Sequence, residues 1–370
     1  MAKKLFFLLF PILCWSQMTP LSKNAKVSIL TCDRGDELYT TFGHTAIRVH
    51  DSINQLDIVY NYGMFDFQTP NFYLKFVKGD LQYFVAACSF QDFLMEYQMT
   101  ERTVIEQTLA LPQAKVQELF EALNGSLYSD ERYYTYKFID RNCTTMVYEK
   151  INTILGKPLL KKVDDTSISY RQLLYPYFDN HFYFKLGINI LFGAKTDQAA
   201  EKMFLPVELS HSLKQTQWQG KPLVVQEKTW VTGQPIPNDY SFVNSPWFVV
   251  LFLVAIAFSR NRYVYMVYGL TIGTLGAFLC CVGLYSQHQE VLWNYNVLLF
   301  NPLFLILPFL KKGRVRSLLI ITSLVALLVY GILLFNKPHL LLLLPFLGAH
   351  LFMLRHLLRQ ERAHLLPSVK

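Results

Sequence analysis

The fold divides at the stretch WFVVLFLVAIAFSRNRYVYMVYGLTIGTLGAFLCCVGLY, residues 247–285. This stretch contains two apolar runs, 247–258 and 263–285, separated by a short connection that carries Arg260 and Arg262. A helix needs about 20 predominantly apolar residues to cross a bilayer, so the second run is long enough by itself and the first needs its polar flanks. We therefore predict that a membrane domain begins at residue 247.

The charges between the apolar runs predict how the chain crosses the membrane. Basic residues concentrate in every second connection, whereas the connections 286–296 and 336–339 together hold one Lys and no Arg. Because basic connections stay in the cytoplasm, five spans with the N-terminal half outside fit this alternation. If one short run were re-entrant instead, the basic tail 355–370 would lie on the outer side. The three further runs cover residues 297–310, 318–335 and 340–354.

Composition and charge exclude several classes of protein. Hydrophobic residues make up 52% and charged residues 17%, which argues against a disordered chain and against an ordinary soluble enzyme. The net charge of +8 would suit nucleic acid, but residues 245–370 carry 11 of the 35 Lys and Arg residues and only 2 of the 27 Asp and Glu residues. Because the rest of the chain has no basic surplus for phosphates, we expect no nucleic-acid partner.

The N-terminus predicts export. Lys3 and Lys4 precede an apolar run of residues 5–15 and then Ser16 and Gln17, which is the pattern of a cleaved secretory signal. We expect a bacterial inner-membrane protein with a signal peptide, a periplasmic domain, a linker, a transmembrane domain and a basic cytoplasmic tail. Their predicted boundaries are 1–17, 18–234, 235–246, 247–354 and 355–370.

Cysteine usage leaves a free thiol in the exported domain. Cys32, Cys88 and Cys143 lie there, and three cysteines cannot all pair within one chain. Whether Cys32 and Cys88 are joined stays open from the sequence. The chain has no CxxC or His-rich spacing for zinc and no glycine-rich nucleotide loop, so we expect no metal and no cofactor.

Hydrophobic patterning of the exported domain predicts an α+β fold. Residues 44–50 alternate in polarity, as a strand does, and a turn at 51–55 leads to a return strand. Mixed strands and helices of this kind define the α+β class. We predict strands at 27–32, 44–50, 57–62, 81–87 and 103–109, and helices from Pro70 up to Gly79, over 112–123 and from Cys143 onward.

A candidate nucleophile lies where a helix is predicted to begin. Asp140-Arg141-Asn142 breaks a strand-like segment, and apolar residues at helical spacing follow Cys143. Unpaired N–H groups and the helix dipole at such an N-terminus favour a thiolate. A neutral His44 imidazole within reach takes the thiol proton, and the thiolate can then attack an ester or amide carbonyl. The alternative is an inert buried Cys143 and a His44 with structural partners.

Hairpin pairing suggests a third member of this site. If the strands around 44–50 and 57–62 pair about a turn at Ile53 and Asn54, position 44 lies near positions 62–64. Asn61 is then the candidate that fixes the tautomer of the imidazole.

Several motifs resemble one known family. They are TFGHTAIRV at residues 41–49, VYNYGMFDF at 59–67 and DRNCT at 140–144, with WNYN at 293–296 and NPL at 301–303 in the membrane half. Over most of the chain they resemble the Lnb family of bacterial lipoprotein N-acyltransferases. The resemblance implies an α+β papain-like domain of the circularly permuted NlpC type, followed by an all-α transmembrane bundle of about five helices. It also implies a catalytic pair, carried here by Cys143 and His44.

The resemblance further implies a reaction and its partners. A membrane phospholipid is the acyl donor, a Cys143 thioester is the intermediate, and the α-amine of a diacylglyceryl-cysteine lipoprotein is the acceptor. Two other functions stay open. One is a phospholipase or other thiol hydrolase that uses water as the acceptor, and the other is a non-enzymatic envelope assembly protein.

The connection 286–296 is the candidate substrate-binding loop. By the charge argument it lies on the side of the exported domain, where its polar groups can hydrogen-bond a headgroup or the acceptor amine and a Trp can lie at interfacial depth. Ordinary loop polarity and helix capping are the alternative. The predicted substrate-binding residues are His288, Trp293, Asn294 and Asn296 of this loop, together with Asn142 beside Cys143.

Overall fold

The computed structural model describes residues 20–179, 181–235 and 241–365. The predicted signal peptide 1–17 lies outside the described residues, as do positions 236–240 of the predicted linker and 366–370 of the predicted tail. Within the described ranges, an N-terminal sheet domain is followed by apolar helices, which confirms the α+β class of the first half.

The sheet domain contains the described strands β1 (Lys26–Cys32), β2 (His44–Asp51), β3 (Leu56–Met64), β4 (Gln82–Ser89), β5 (Val104–Leu109), β6 (Tyr133–Thr135), β7 (Gln217–Trp218), β8 (Lys221–Pro222) and β9 (Val224–Val231). Its helices are α1 (Phe72–Lys78), α2 (Phe90–Met99), α3 (Gln113–Tyr128), α4 (Cys143–Leu155), α5 (Tyr170–Leu174), α6 (Phe182–Leu191) and α7 (Pro206–Gln215). The membrane half contains α8 (Pro246–Phe258), α9 (Arg262–Tyr285), α10 (Asn296–Leu299), α11 (Arg314–Leu334) and α12 (Leu340–Leu365).

Seven strands form one antiparallel sheet in the order β6-β4-β3-β2-β1-β5-β9, while β7 and β8 form a separate hairpin. Helices cover both faces of the sheet. On β2, Ile47 and Val49 pack in the core with α3 and α4, whereas Ala46 belongs to the core that α2 closes. The predicted alternation of residues 44–50 therefore separates two cores, and even Arg48 is buried, paired with Glu106 at 3.0 Å.

Two predicted helix ends are wrong. Helix α3 continues to Tyr128 instead of ending at residue 123, because Asn124 is buried within it. The Asn124 side chain accepts a hydrogen bond from the Tyr60 hydroxyl at 3.2 Å and donates one to the Phe120 carbonyl at 2.8 Å. Helix α1 begins at Phe72, after Asn71 as its N-cap, rather than at Pro70.

The membrane half has three helices that are long and apolar enough to cross a bilayer, namely α9, α11 and α12. Helix α8 is shorter, with 13 residues. The predicted run 297–310 is not a regular helix, since the four-residue α10 is followed by the short 3₁₀ turns Pro302–Leu305 and Leu307–Phe309. Its prolines lack the N–H donor that a continuous helix needs. The count of five spans stays a prediction.

The broken segment 296–309 packs directly on the backbone of α9. A Cβ added at Gly276 would lie 1.6 Å from the Phe300 carbonyl oxygen, and one at Gly273 would lie 2.5 Å from the Leu305 nitrogen. The carbonyl of Leu299 at the break lies 3.1 Å from His350 Nδ1 of α12 and can accept a hydrogen bond from it. Irregular backbone is thus shielded by protein, which is the condition under which it occurs at membrane depth.

The two ends of the membrane half have different neighbours. The connections 286–296 and 336–339 contact the sheet domain, as shown by the Gln287 N–H donating to the Lys78 carbonyl at 2.6 Å. At the other end Arg316 pairs with Glu361 at 2.8 Å, which joins two of the basic segments. The 21 residues of helix α11, at a rise of 1.5 Å per residue, give a length of about 30 Å between these two ends.

Replacing Gly276 with Ala should destabilise the membrane half, whereas Gly283→Ala in the same helix should not. A Cβ at Gly276 collides with the Phe300 carbonyl, while a Cβ at Gly283 meets no atom within 4 Å. Overpacking of this kind costs about 1–3 kcal/mol. Thermal unfolding of the detergent-solubilised protein should give a lower midpoint for Gly276→Ala only. Equal midpoints for the two variants would contradict the close contact.

Candidate active site

Cys143 is the first residue of α4, as the sequence predicts, and Asn142 is the N-cap. The Asn142 side-chain oxygen accepts the Thr145 N–H at 3.0 Å, and the Thr145 hydroxyl oxygen accepts the Asn142 N–H at 2.7 Å. The Asn142 amide nitrogen donates to the carbonyls of Phe138 and Phe204, both at 2.8 Å. This capping box fixes the direction in which the helix, and with it the thiol, starts.

The end of β2 and an irregularity in β3 bring the site together. His44 is the first residue of β2 and lies beside Cys143, where its hydrogen bond and charge, together with the Thr45 N–H, act to lower the pKa of the thiol. The register of β3 against β4 shifts between Asn61 and Met64. Gly63 lies in that shift with a φ of +89°, and a Cβ on it would be 3.5 Å from the Cys143 Cβ. The 3.5 Å separation is an ordinary contact, so it is the positive φ that favours glycine beside Cys143.

Asn61 contacts the other side of the imidazole. Its side-chain oxygen lies 3.2 Å from His44 Nε2. The Asn61 amide nitrogen donates to the sulfur of Cys88 at 3.5 Å. Because this second contact turns the amide oxygen toward His44, Nε2 carries the proton and Nδ1 is free to accept one. The predicted proximity of Asn61 to His44 is observed, through the β2–β3 register that pairs Ala46 with Asn61.

His44 and Cys143 shift each other's titration. Burial by itself would raise the pKa of the Cys143 thiol, but the hydrogen bond and positive charge of His44 outweigh it, so the pKa is lowered. Burial by itself would lower the pKa of His44, but the hydrogen bond and negative charge of Cys143 outweigh it, so that pKa is raised. Opposite shifts of this kind stabilise a thiolate–imidazolium pair.

The other two thiols of the sheet domain, those of Cys32 and Cys88, have raised pKa values. Burial raises the pKa of Cys32 to about 12, and burial also raises the pKa of Cys88. Both cysteines are free, as are all five cysteines in the described part of the chain. Cys143 is also partly exposed to solvent, as is His44. Among the three, only Cys143 combines access with a lowered pKa.

Three of the four predicted loop residues have hydrogen-bond partners within the protein. Asn294 and Asn296 each donate two hydrogen bonds to carbonyls at the end of α6, at 2.8–2.9 Å. His288 Nε2 lies 2.8 Å from the carbonyl of Phe76 in α1, to which it can donate, and Trp293 is 85% exposed. The structure therefore uses these three polar side chains, like Asn142, to join or cap segments of the chain.

Glu290 belongs to the same loop, whose polar residues the sequence places at a candidate lipid site. It is 2% exposed, and its carboxylate accepts the Ile139 N–H at 3.4 Å and lies 3.5 Å from Lys195. Glu290 thereby holds the chain at Ile139, four residues before Cys143. The signal was available in the sequence, because residues 245–370 contain only two acids, Glu290 and Glu361.

A cavity of about 430 Å³ lies between α6, α8 and α12, and its lining includes Lys185, Trp247 and Leu341 but neither His44 nor Cys143. Over the described ranges, no group of three or more His, Cys, Asp or Glu side chains is arranged to hold a metal ion.

Residues 15–175 match the model of the Lnb N-terminal periplasmic domain. The match covers less than half of the chain, includes His44, Asn61 and Cys143, and supports an Lnb-type family. It fits a periplasmic sheet domain followed by apolar helices. No curated protein and no solved structure matches the chain. The Lnb-type domain is thus the one that carries the thiol and the imidazole.

Iodoacetamide should alkylate Cys143 at lower pH than it alkylates Cys88. The thiolate reacts, and the pKa of Cys143 is lowered whereas that of Cys88 is raised. Labelling of Cys143 should fall as the pH drops through its own pKa, and His44→Ala should move that midpoint up to at least about 8.5, the ordinary thiol value. Peptide mass spectrometry of one digest measures both cysteines, with Cys88 as the internal control. Identical pH profiles would show that His44 does not activate Cys143.

Proposed function

We propose that the protein is a lipoprotein N-acyltransferase that uses Cys143 as its nucleophile. The observation that carries the proposal is Cys143 at the start of α4 with a pKa that the neighbouring His44 lowers. The Lnb-type match and the contacts between the domain and the apolar helices support a site that works beside the membrane. A thiol and an imidazole are sufficient for acyl transfer of this kind, which needs no metal ion or nucleotide.

The first half-reaction acylates Cys143. The thiolate attacks the carbonyl carbon of a phospholipid acyl ester, and the C–O bond to the glycerol breaks. The His44 imidazolium gives its proton to the departing alkoxide, so a lysophospholipid leaves and a thioester remains. The Thr45 N–H, which points at the sulfur, and the unpaired N–H groups at the start of α4 are the candidate donors for the negative charge on the carbonyl oxygen.

The second half-reaction transfers the chain to nitrogen. The neutral α-amine of a diacylglyceryl-cysteine attacks the thioester carbonyl, and the C–S bond breaks. His44 takes the proton that the amine nitrogen loses as the amide forms. The free enzyme is restored with a thiolate and an imidazolium. Asn61 acts in both halves by keeping Nδ1 of His44 toward the sulfur, and we propose it as the third member of the site.

The finer architecture follows the same proposal. We propose that the sheet domain is a circularly permuted papain-like fold of the NlpC type, since His44 on a strand precedes the Asn142-Cys143 helix start. We also propose five passes through the membrane and a cytoplasmic tail. The segment 296–309 supports this, because Asn296 binds the end of α6 beside the sheet domain while Gly313 bonds Glu361 at the far end.

The proposal reduces the number of residues expected to contact a substrate directly. Trp293 is exposed at the domain side of the helices and remains the loop residue proposed to contact a phospholipid or lipoprotein headgroup. Asn142, His288, Asn294 and Asn296 are proposed to shape the site through the segments that they hold, since their side chains already bind backbone carbonyls.

Hydrolysis is the second candidate function. Because His44 and Cys143 are partly exposed, water can reach the thioester and replace the amine as acceptor. Purified protein incubated with phospholipid, with and without a diacylated lipopeptide, separates the two. A transferase gives N-acylated lipopeptide and little free fatty acid, whereas fatty-acid release that the lipopeptide does not change indicates a hydrolase.

Cys143→Ala should abolish N-acylation, and His44→Ala should slow it by about 10²- to 10⁴-fold, the usual contribution of a general base. Cys281→Ala is the control, because Cys281 is a free and exposed thiol in α9 of the membrane half. Lipopeptide mass spectrometry of the purified variants in proteoliposomes measures the product. Unchanged product with both Cys143→Ala and His44→Ala would refute the proposed nucleophile and base.

A further inference from the structure

Helix α1 is apolar, yet none of its residues is buried. Its sequence is FYLKFVK, and Tyr73 and Leu74 are 76% and 68% exposed. The exposed side chains Tyr39 and Phe67 continue the same surface, with their rings 6.2 Å apart. We name Tyr39, Phe67, Tyr73, Leu74 and Phe76 the α1 patch. A contiguous exposed apolar surface of this kind marks a contact with a partner or with lipid.

The position of α1 favours lipid as the partner. Three hydrogen bonds tie the end of α1 to the residues that follow α9: Ser286 to the Val77 carbonyl at 2.8 Å, Gln287 to Lys78 at 2.6 Å and His288 to Phe76 at 2.8 Å. Leu284 and Tyr285, the last residues of α9, are themselves 91% and 55% exposed. The α1 patch therefore lies level with the end of a membrane-spanning helix, and its surface continues that of the helix.

The charge of α1 suits a bilayer surface. The helix carries Lys75 and Lys78 and no acid, although Lys78 pairs with Asp80 just after the helix. A short apolar helix flanked by lysines and aromatic rings is the composition of a segment at headgroup depth.

Aromatic rings lead from the α1 patch to the thiol. The Phe76 ring stacks on Phe72, with ring centroids 6.3 Å apart, and Phe72 contacts Phe65 at 5.9 Å. The Phe65 ring lies 5.3 Å from Tyr83, which stacks on Tyr136 at 4.4 Å. Phe65 is two residues after Gly63, which lies against Cys143. Phe65, Phe72 and Tyr136 are partly exposed, whereas Tyr83 is 8% exposed, so the row offers apolar surface on either side of one buried ring.

We propose that the α1 patch inserts into the outer leaflet of the membrane and that the row of rings from Phe76 to Tyr136 guides the donor acyl chain to Cys143. The insertion stands by itself, while the guiding role rests on the proposed acyl transfer. The apolar surface shields the chain from water on its way out of the leaflet, so that the ester arrives at the thiol with its tail still in an apolar environment.

Photolabelling tests the insertion without any need for activity. The full-length protein is reconstituted in vesicles of phosphatidylethanolamine and phosphatidylglycerol that contain a phosphatidylcholine with a diazirine in its acyl chain. After irradiation, mass spectrometry should find label on the α1 peptide as well as on α9. Label on α9 but none on α1 overturns the insertion.

Charge substitution tests the guiding role. Leu74→Asp should cut labelling of α1 and N-acylation at least 10-fold each, while alkylation of Cys143 by iodoacetamide stays unchanged, which shows that the site is folded. Val225→Asp is the matched control, since Val225 is 64% exposed on β9 at the opposite edge of the sheet. Full N-acylation by Leu74→Asp overturns the guiding role. If wild-type protein labels on α1 yet forms no N-acylated product, the proposed acyl transfer fails and the insertion stands.

Discussion

The hydrogen bonds between residues 286–290 and the Lnb-type domain are the contact on which the rest of the structure depends. Ser286 binds the backbone of α1, and Glu290 binds the segment that ends at Cys143. A domain attached only by a linker would leave the height of its thiol above the bilayer undefined. These contacts hold the domain against the apolar helices, which would supply the proximity that the proposed transfer between two lipids requires.

A second buried network extends the same contact to the long helices. Arg171 donates to Asp197 at 2.7 Å and to the Asn189 side chain at 3.2 Å, and the Asn189 carbonyl accepts from Asn296. The Asn296 side-chain oxygen in turn accepts from the hydroxyl of Tyr330 in α11. Charges buried in this way add little net stability but are costly to leave unpaired, so they select one arrangement of the two halves over the alternatives.

Local patterns predicted the parts of the site that are close in sequence. The turn at residues 51–55 sets the register that places Asn61 beside His44, and Asn142 caps the helix that starts at Cys143. Contacts between distant residues were not predictable in the same way. Asn296 donates to a carbonyl 107 residues earlier, and its sequence neighbourhood suggested a substrate ligand equally well. The prolines in the run 297–310 account for its break, but its close packing against Gly273 and Gly276 is a contact between distant residues that hydropathy does not register.

The lowered pKa of Cys143 has two opposing consequences for the proposed reaction. It makes the thiolate available at a lower pH than an ordinary thiol allows but weakens its intrinsic nucleophilicity. The same shift makes the sulfur a better leaving group when an amine attacks the thioester. An α-amine with a pKa of about 8 is largely protonated near neutral pH, so only its neutral fraction attacks. A thioester that releases a stabilised thiolate, beside a His44 that takes the proton, therefore favours amide formation over return of the chain to an alcohol, whose oxygen is the poorer nucleophile.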